Sequence, residues 1–203
     1  MSGPAALLLA AGLGYVAGSI PFGFLTARYI AGVDVRSQGS GKIGATNVRR
    51  LLGWKGFFLV MALDLLKGTA AVFAAGLLVD GGVEPWVKAA AGVGAIAGHS
   101  WPVFLRFKGG RGVATGMGAM AVMLPLVVVL AVLVALPLIM MSRYMSLGSL
   151  IGAVLVGVVT LGEVLLNDQP WAYFCYAALG SGLIVIKHRD NIERILSGTE
   201  RRL

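Results

Sequence analysis

Long apolar blocks alternate with short polar ones along this chain. Six apolar runs dominate it, near residues 4–25, 56–79, 86–105, 112–141, 146–166 and 170–187. Most hold about 20 residues, enough at 1.5 Å per residue to cross roughly 30 Å of hydrocarbon as a helix. Such runs predict transmembrane α-helices, because a backbone in lipid has to satisfy its own hydrogen bonds. The run 112–141 is anomalous. Its thirty residues predict either one long tilted helix or two short crossings broken near Pro125.

Charge placement decides between these. Basic residues collect in segment 26–55 (Arg28, Arg36, Lys42, Arg49, Arg50, Lys55), in 106–111 (Arg106, Lys108, Arg111) and in the tail (Lys187, Arg189, Arg194, Arg201, Arg202), fourteen of the seventeen Lys and Arg. Short basic connections stay in the cytoplasm. The opposite connections carry Asp80, Glu84, Glu163 and Asp168. With 26–55 inside, the N-terminus lies outside, and the tail returns to the cytoplasm only if 112–141 leaves and comes back. The expectation is an all-α integral membrane protein of seven transmembrane helices with a cytoplasmic C-terminus and one or more short or broken helices in 112–141. Residues 1–203 form one polytopic domain, with 190–203 as a cytoplasmic tail. This topology gathers the polar motifs at one face.

Composition agrees with a bilayer. The chain is 58% hydrophobic and 13% charged, with mean hydropathy +0.86, against roughly 25% charged residues in soluble domains. The stretch Pro4 to Leu25 has no basic segment before it and reads as a retained span rather than a cleaved signal. Thirty glycines are about twice the usual share. The GxxxG pairs Gly14/Gly18, Gly94/Gly98, Gly112/Gly116 and Gly148/Gly152 predict close helix packing. A single cysteine, Cys175, and two histidines leave no thiol or His-rich metal centre to propose.

Two glycine-rich polar stretches need a different account. In Gly39-Ser40-Gly41-Lys42-Ile43-Gly44-Ala45-Thr46-Asn47-Val48-Arg49-Arg50, Gly41 and Gly44 permit positive φ and close ligand approach. Successive N–H groups there form an anion nest, Ser40 adds a hydroxyl, and Arg50 supplies a planar fork for phosphate. A flexible basic loop facing anionic head groups is the alternative. In Phe107-Lys108-Gly109-Gly110-Arg111-Gly112-Val113-Ala114-Thr115, a glycine turn between cations opens a helix, whose N-terminus favours anions; an interfacial anchor is the plainer account. Trp101, Phe104 and Phe107 fit an aromatic belt. His99 is as readily a structural hydrogen-bonding residue as a catalytic one. Asp64 and Lys67, i and i+3 inside an apolar run, are either a structural ion pair or a support for the site. Ser146 and Ser149 either cap a helix or touch ligand. His188 and Asn191 would share one helical face at the membrane surface. Glu200 would tie the tail to a basic loop.

Taken in order, these strings resemble the bacterial acyl-phosphate:glycerol-3-phosphate acyltransferase family. The matching pieces are Gly18-Ser19-Ile20-Pro21-Phe22-Gly23, the loop from Asp34 to Arg50, Asp64-x-x-Lys67-Gly68, His99-x-x-Pro102-Val103-Phe104 followed by Lys108 to Thr115, Arg143-Tyr144-x-Ser146-Leu147, and His188-Arg189-x-Asn191-Ile192. The resemblance implies a seven-span enzyme of the bacterial inner membrane. It would acylate the 1-hydroxyl of sn-glycerol 3-phosphate from a fatty acyl phosphate, giving lysophosphatidic acid, the first acylation of phospholipid synthesis. No cofactor or metal is implied. The implied partners are the two substrates and membrane lipid, without nucleic acid, and the expected assembly is a monomer. The catalytic set would be His188, Asn191, Ser40 and Arg50. Gly41, Asn47, Lys108, Gly109, Gly110, Arg111, Ser146 and Ser149 would bind substrate, supported by Asp64, Lys67 and Glu200. Two positions depart from the family: Lys42 stands where Asn is usual and Arg111 where Lys is usual.

The alternative function is a transporter or channel for an anionic phosphate ester. Against it, the cations lie at one face rather than the midplane, and no internal repeat is evident. Other lipid head-group enzymes fit less well. The H-x-x-x-x-D signature is absent, since Phe104 follows His99 and Glu193 follows His188 at that spacing, and no D-x-x-D-G pattern occurs.

Overall fold

The computed structural model describes residues 3–79 and 81–203; Asp80, expected in an outer connection, lies outside them. All regular structure among the described residues is helical. Helix α1 spans Gly3–Ser19, α2 Phe22–Ala31, α3 Ala45–Gly76, α4 Glu84–Ser100, α5 Val113–Met123, α6 Pro125–Ser142, α7 Met145–Leu166, α8 Trp171–Lys187 and α9 Arg189–Leu196. Among the described residues, four stretches are long and apolar enough to cross a membrane: Gly3–Ala31, which joins α1 and α2, then α3, α6 and α7.

Two boundaries differ from the hydropathy pattern. The first run does not continue to residue 25 as one helix; Pro21 interrupts it between α1 and α2, because proline lacks the N–H that the ladder needs. Helix α3 starts at Ala45, eleven residues before the apolar run at 56, and bends at Gly53, where φ is +68°. Its first turns carry Thr46, Asn47, Arg49 and Arg50, so hydropathy reads them as loop. Their helical state matters, since it aims an N-terminus at the site.

The run 112–141 is two helices, α5 and α6, separated at Leu124. Helix α5 has 11 residues, about 16 Å at 1.5 Å per residue. The beginning of α5 (Gly112) and the residue after the α6–α7 turn (Met145) line one cavity. A continuous helix would put them about 50 Å apart. The segment therefore runs out and back.

Small residues set the helix packing. A Cβ on Gly14 or Gly18 would collide with the backbone of Ala91 or Ala95, and a Cβ on Gly94 or Gly98 with that of Ala11 or Tyr15. Helices α1 and α4 thus interlock through paired GxxxG stretches. Gly148 packs likewise on Ile139 of α6. Gly112 differs, with φ +82° at the N-cap of α5. In the half away from the site, Val72, Met120, Met123, Val127, Tyr173 and Tyr176 form a closed apolar core. The outward faces of α6 and α7 remain apolar, as at Leu133, Met140, Val158 and Leu166, which suits contact with lipid tails rather than water.

Candidate active site

Three helices begin at one place. Gly44, Ala45 and Thr46 at the start of α3, Gly112, Val113 and Ala114 at the start of α5, and Met145 and Ser146 at the start of α7 line a common cavity of about 140 Å³. The first N–H groups of a helix have no intrahelical acceptor, and each N-terminus carries a partial positive charge. Lys42, Arg50, Arg111, Arg194, Arg201 and Arg202 line the same cavity, against the carboxylates Asp64 and Glu200. The cations outnumber the acidic groups on this wall, and the surplus positive charge suits phosphate groups near −2 each.

The loop before α3 is built around Asn47, which is 2% exposed. Its Oδ1 accepts from the Ser40 N–H at 3.0 Å, and its Nδ2 donates toward the carbonyls of Val35, Gln38 and Lys42 at 2.9–3.0 Å. Asn47 reaches the cavity wall, but its amide is spent on the loop; it shapes the anion site rather than offering a free ligand group. Gly41 takes φ +69°, whereas Gly44 is extended at φ −74°, so only the first uses the left-handed region. Asp34 accepts from Arg36 through both the main-chain N–H and the guanidinium, and that bonding holds its carboxyl below the usual carboxylate range.

The second glycine stretch divides. Arg111 lines the cavity and pairs with Asp190 at 3.2 Å. Lys108 is exposed and stands outside the cavity wall. Gly109 and Gly110 also lie off the wall. A Cβ on either would collide with His99, and the Gly110 N–H donates to the His99 carbonyl at 3.0 Å. The expected anion nest at 109–110 is therefore occupied by protein. These glycines let the chain pass closely over a buried imidazole, which delivers Arg111 and the α5 N-terminus to the cavity. His99 Nδ1 lies 3.3 Å from Thr115 Oγ1 and 3.5 Å from Asp64 Oδ1. Lys67 Nζ sits 2.8 Å from that same carboxylate oxygen and donates to the Ile20 carbonyl at 2.8 Å. Asp64 thus forms a buried ion pair with Lys67 and also lines the cavity.

The tail closes the other side. Glu200 Oε1 accepts from Ser146 Oγ at 3.0 Å and from Asn191 Nδ2 at 2.8 Å, while its Oε2 accepts from Arg194 Nε at 2.9 Å. Glu200 therefore binds α7 and α9 rather than a basic loop. Neither serine caps α7, whose N-cap is Tyr144; the Ser149 hydroxyl donates back to the Met145 carbonyl at 2.9 Å. With Nδ2 directed at Glu200, Asn191 Oδ1 is buried without a hydrogen-bond partner among the described residues, on a residue of the cavity wall.

His188 is 2% exposed and lies on the same wall. Its Nδ1 is 2.8 Å from the Ile184 carbonyl. A carbonyl only accepts, so Nδ1 carries the proton and Nε2 keeps a lone pair. Burial pushes this imidazole down to about 4, so it is neutral at pH 7. Burial alone would raise Asp190, but Arg111, Lys42 and Arg194 hold its carboxyl below its ordinary value. Thr46, Arg194, Arg201 and Arg202 join the wall without having been singled out from the sequence. Arg194 had a readable signal, being i, i+4 from Asp190 on a short helix. Thr46 had none.

A second, apolar groove of about 610 Å³ continues from the cavity between α3, α5, α6, α7 and α8, and Phe57, Met61, Val113, Met117, Met145 and Ser149 line both.

Known proteins share this arrangement of sequence and fold. The profile of the glycerol-3-phosphate acyltransferase family matches residues 8–198. Glycerol-3-phosphate acyltransferase 3 of Dehalococcoides mccartyi is 43% identical over 98% of this chain and 96% of its own length. A glycerol-3-phosphate acyltransferase of Desulforamulus reducens is 45% identical over 92% of this chain and 90% of its own. The crystal structure of PlsY, an integral membrane glycerol 3-phosphate acyltransferase, in its glycerol 3-phosphate form superposes with a TM-score of 0.87 at 36% identity, covering 100% of this chain and 96% of that one. Its lysophosphatidic acid form gives 0.86 at the same identity, over 97% and 95%. With the family profile spanning nearly the whole sequence and relatives above 40% identity end to end, the chain belongs to the glycerol-3-phosphate acyltransferase family.

Proposed function

We propose that this protein transfers a fatty acyl group from acyl phosphate to the 1-hydroxyl of sn-glycerol 3-phosphate, giving lysophosphatidic acid and inorganic phosphate. The observation that carries this reading is the continuity of a cation-lined cavity, faced by three helix N-termini, with a long apolar groove. A ligand that fills both is anionic at one end and a hydrocarbon at the other. The family membership and the ligand states named for the related PlsY structures support the acceptor and the product class.

The reacting groups follow from the wall chemistry. Arg50, Arg111 and the α3 and α5 N-termini hold the phosphates, with Ser40 at the loop that faces them. The Asn191 Oδ1 and His188 Nε2 lone pairs orient the glycerol by accepting from its 2-hydroxyl, which aims the 1-oxygen at the acyl carbon and leaves the 1-hydroxyl proton for a phosphate oxygen. The new ester bond forms as the bond from the acyl carbon to the phosphate oxygen breaks. An imidazole near 4 is a weak base. A phosphate dianion, with a second pKa near 6, is the better proton acceptor at neutral pH. The hydroxyl proton therefore leaves with the departing phosphate, and no acyl-enzyme is needed. Orientation and charge stabilisation supply the rate.

In this reading the chain crosses the bacterial inner membrane seven times, by α1, α3, α4, α5, α6, α7 and α8. The short α5 makes a shallow crossing, and the cavity faces the cytoplasm, where the positive-inside rule places its cations. The protein works as a monomer. The test is purified protein incubated with palmitoyl phosphate and glycerol 3-phosphate, metal-free, with product analysis. Formation of 1-palmitoyl lysophosphatidic acid is the expected result. Unchanged substrates in a folded preparation would end the proposal, and vesicle uptake of glycerol 3-phosphate without acylation would favour transport.

A further inference from the structure

We infer that the apolar groove measures the acyl chain, with a stop formed by Met120, Ala131 and Tyr176. This rests on the acyl-transfer reading above. Four helices mark the same depth. From the end shared with the anion cavity to the far end, the groove wall runs from Val113 to Met120 on α5, Ile139 to Ala131 on α6, Ser149 to Val156 on α7 and Ile184 to Tyr176 on α8. Each interval is seven or eight residues, about 10–12 Å along a helix.

Beyond that depth the space closes. Met120, Tyr176 and Ala177 belong to the packed core that also holds Met123, Val127 and Tyr173. Tyr176 is 2% exposed, and its hydroxyl donates to the Gly116 carbonyl at 2.7 Å. Its ring lies against Gly92, where a Cβ would press on the ring edge at 2.6 Å. Swinging the ring aside would strand a buried hydroxyl, at the cost of an unmade hydrogen bond. The stop is therefore rigid.

On α7 the rim shared with the anion cavity extends from Ser149 back to Met145, so the full path from Met145 to Val156 is about 17 Å. A zigzag chain of roughly 1.5 Å single bonds advances about 1.25 Å per carbon, so about 13 or 14 carbons lie straight inside. Longer chains have to bend out. The flank between α3 and α6 gives them an exit: Trp54, Phe58, Leu136 and Met140 line the groove there and are each more than half exposed. Exchange between groove and lipid is apolar to apolar, so selection comes from shape and not from a hydrophobic gain.

Gly152 lies partway along the wall, and a Cβ there would rest 3.5 Å from the Ala135 Cβ, an ordinary contact. Gly152→Leu should block the groove at mid-depth, and Val156→Phe should block it near the stop. The assay offers an equimolar mixture of decanoyl, lauroyl, myristoyl, palmitoyl and stearoyl phosphates with glycerol 3-phosphate and reads the products by mass spectrometry. Gly152→Leu is expected to raise the decanoyl-to-palmitoyl product ratio at least tenfold over the parent. Val156→Phe shortens the groove at its far end and is expected to raise the lauroyl-to-myristoyl product ratio about fivefold over the parent. If Gly152→Leu does not fold, Val156→Phe decides alone. An unchanged product distribution in the folded variants, or an equal loss at every length, overturns the inference. A parent that acylates with no donor of any length instead overturns the acyl-transfer reading.

Discussion

Replacing Arg111 with alanine tests the anion cavity most directly. The guanidinium is 18% exposed, lines the cavity and pairs with Asp190 at 3.2 Å. Burial draws its pKa down from the ordinary arginine value while Asp190 pushes it up, and it stays charged at any working pH. Alanine does not strand Asp190, because Arg194 remains 3.5 Å from the same carboxylate. The cost should therefore fall on ligand binding. A hydrogen bond to a charged group is worth about 1.5–3 kcal/mol, or roughly 13- to 160-fold in kcat/KM. The assay is initial rate against glycerol 3-phosphate at saturating palmitoyl phosphate in detergent, with thermal melts matched to the parent. Arg111→Lys keeps charge but loses the planar fork, so its activity should fall between the parent and the alanine variant. Lys108→Ala is the internal control. Its side chain is exposed and off the cavity wall, so kcat/KM should stay within threefold of the parent. A folded Arg111→Ala enzyme within threefold of the parent would refute the assignment, as would a Lys108→Ala enzyme equally impaired.

Other outcomes follow from the same geometry. Glu200→Gln places a neutral amide among the Ser146, Asn191 and Arg194 donors; kcat should fall about tenfold with both KM values within threefold, as charge-assisted bonds are lost, and steady-state kinetics read that split. Gly110→Ala drives a methyl group into the His99 ring; overpacking of about 1–3 kcal/mol should appear as a lowered melting temperature. His188 is buried with its pKa lowered to about 4, against roughly 6.5 unfolded. Between those values the unfolded chain binds the extra proton, so stability falls as pH drops from about 6.5 to 4, by up to about 3 kcal/mol. Melts at pH 7 and pH 5 should show a larger loss in the parent than in His188→Gln. Asp190, held low by its arginines, loses its contribution only at more acid pH.

Much of the fold is legible in hydropathy because the bilayer imposes a one-dimensional rule: about 20 apolar residues in a row make a spanning helix. The runs at 86–105, 146–166 and 170–187 lie close to α4, α7 and α8. Parity of basic segments goes further, calling for an out-and-back excursion at 112–141, and the chain turns between α5 and α6 beside Pro125. Hydropathy fails where a helix is polar. The first turns of α3 carry Asn47 and Arg50 outside any apolar run, and their start at Ala45 has no side-chain cap to announce it.

For the site, residue type was readable but orientation was not. The sequence marks Lys108 and Arg111 as equal cations flanking two glycines. Only packing separates them, because the buried His99 imidazole leaves room for nothing larger than Gly110 and turns Arg111 inward while Lys108 faces out. Asn47 and Asn191 likewise look alike as polar residues in glycine-rich or basic surroundings. One spends its amide on four loop backbone groups, and the other keeps a carbonyl oxygen free at the cavity wall. Composition, run length and the order of the motifs determine on their own that this is a helical membrane protein bearing phosphate-binding chemistry, since these depend on local sequence and on the bilayer as solvent. Which polar atoms remain unpaired, where the anion cavity meets the apolar groove and how deep that groove runs are decided only by tertiary structure, because they depend on contacts among α3, α5, α6, α7 and α8 that no local pattern encodes.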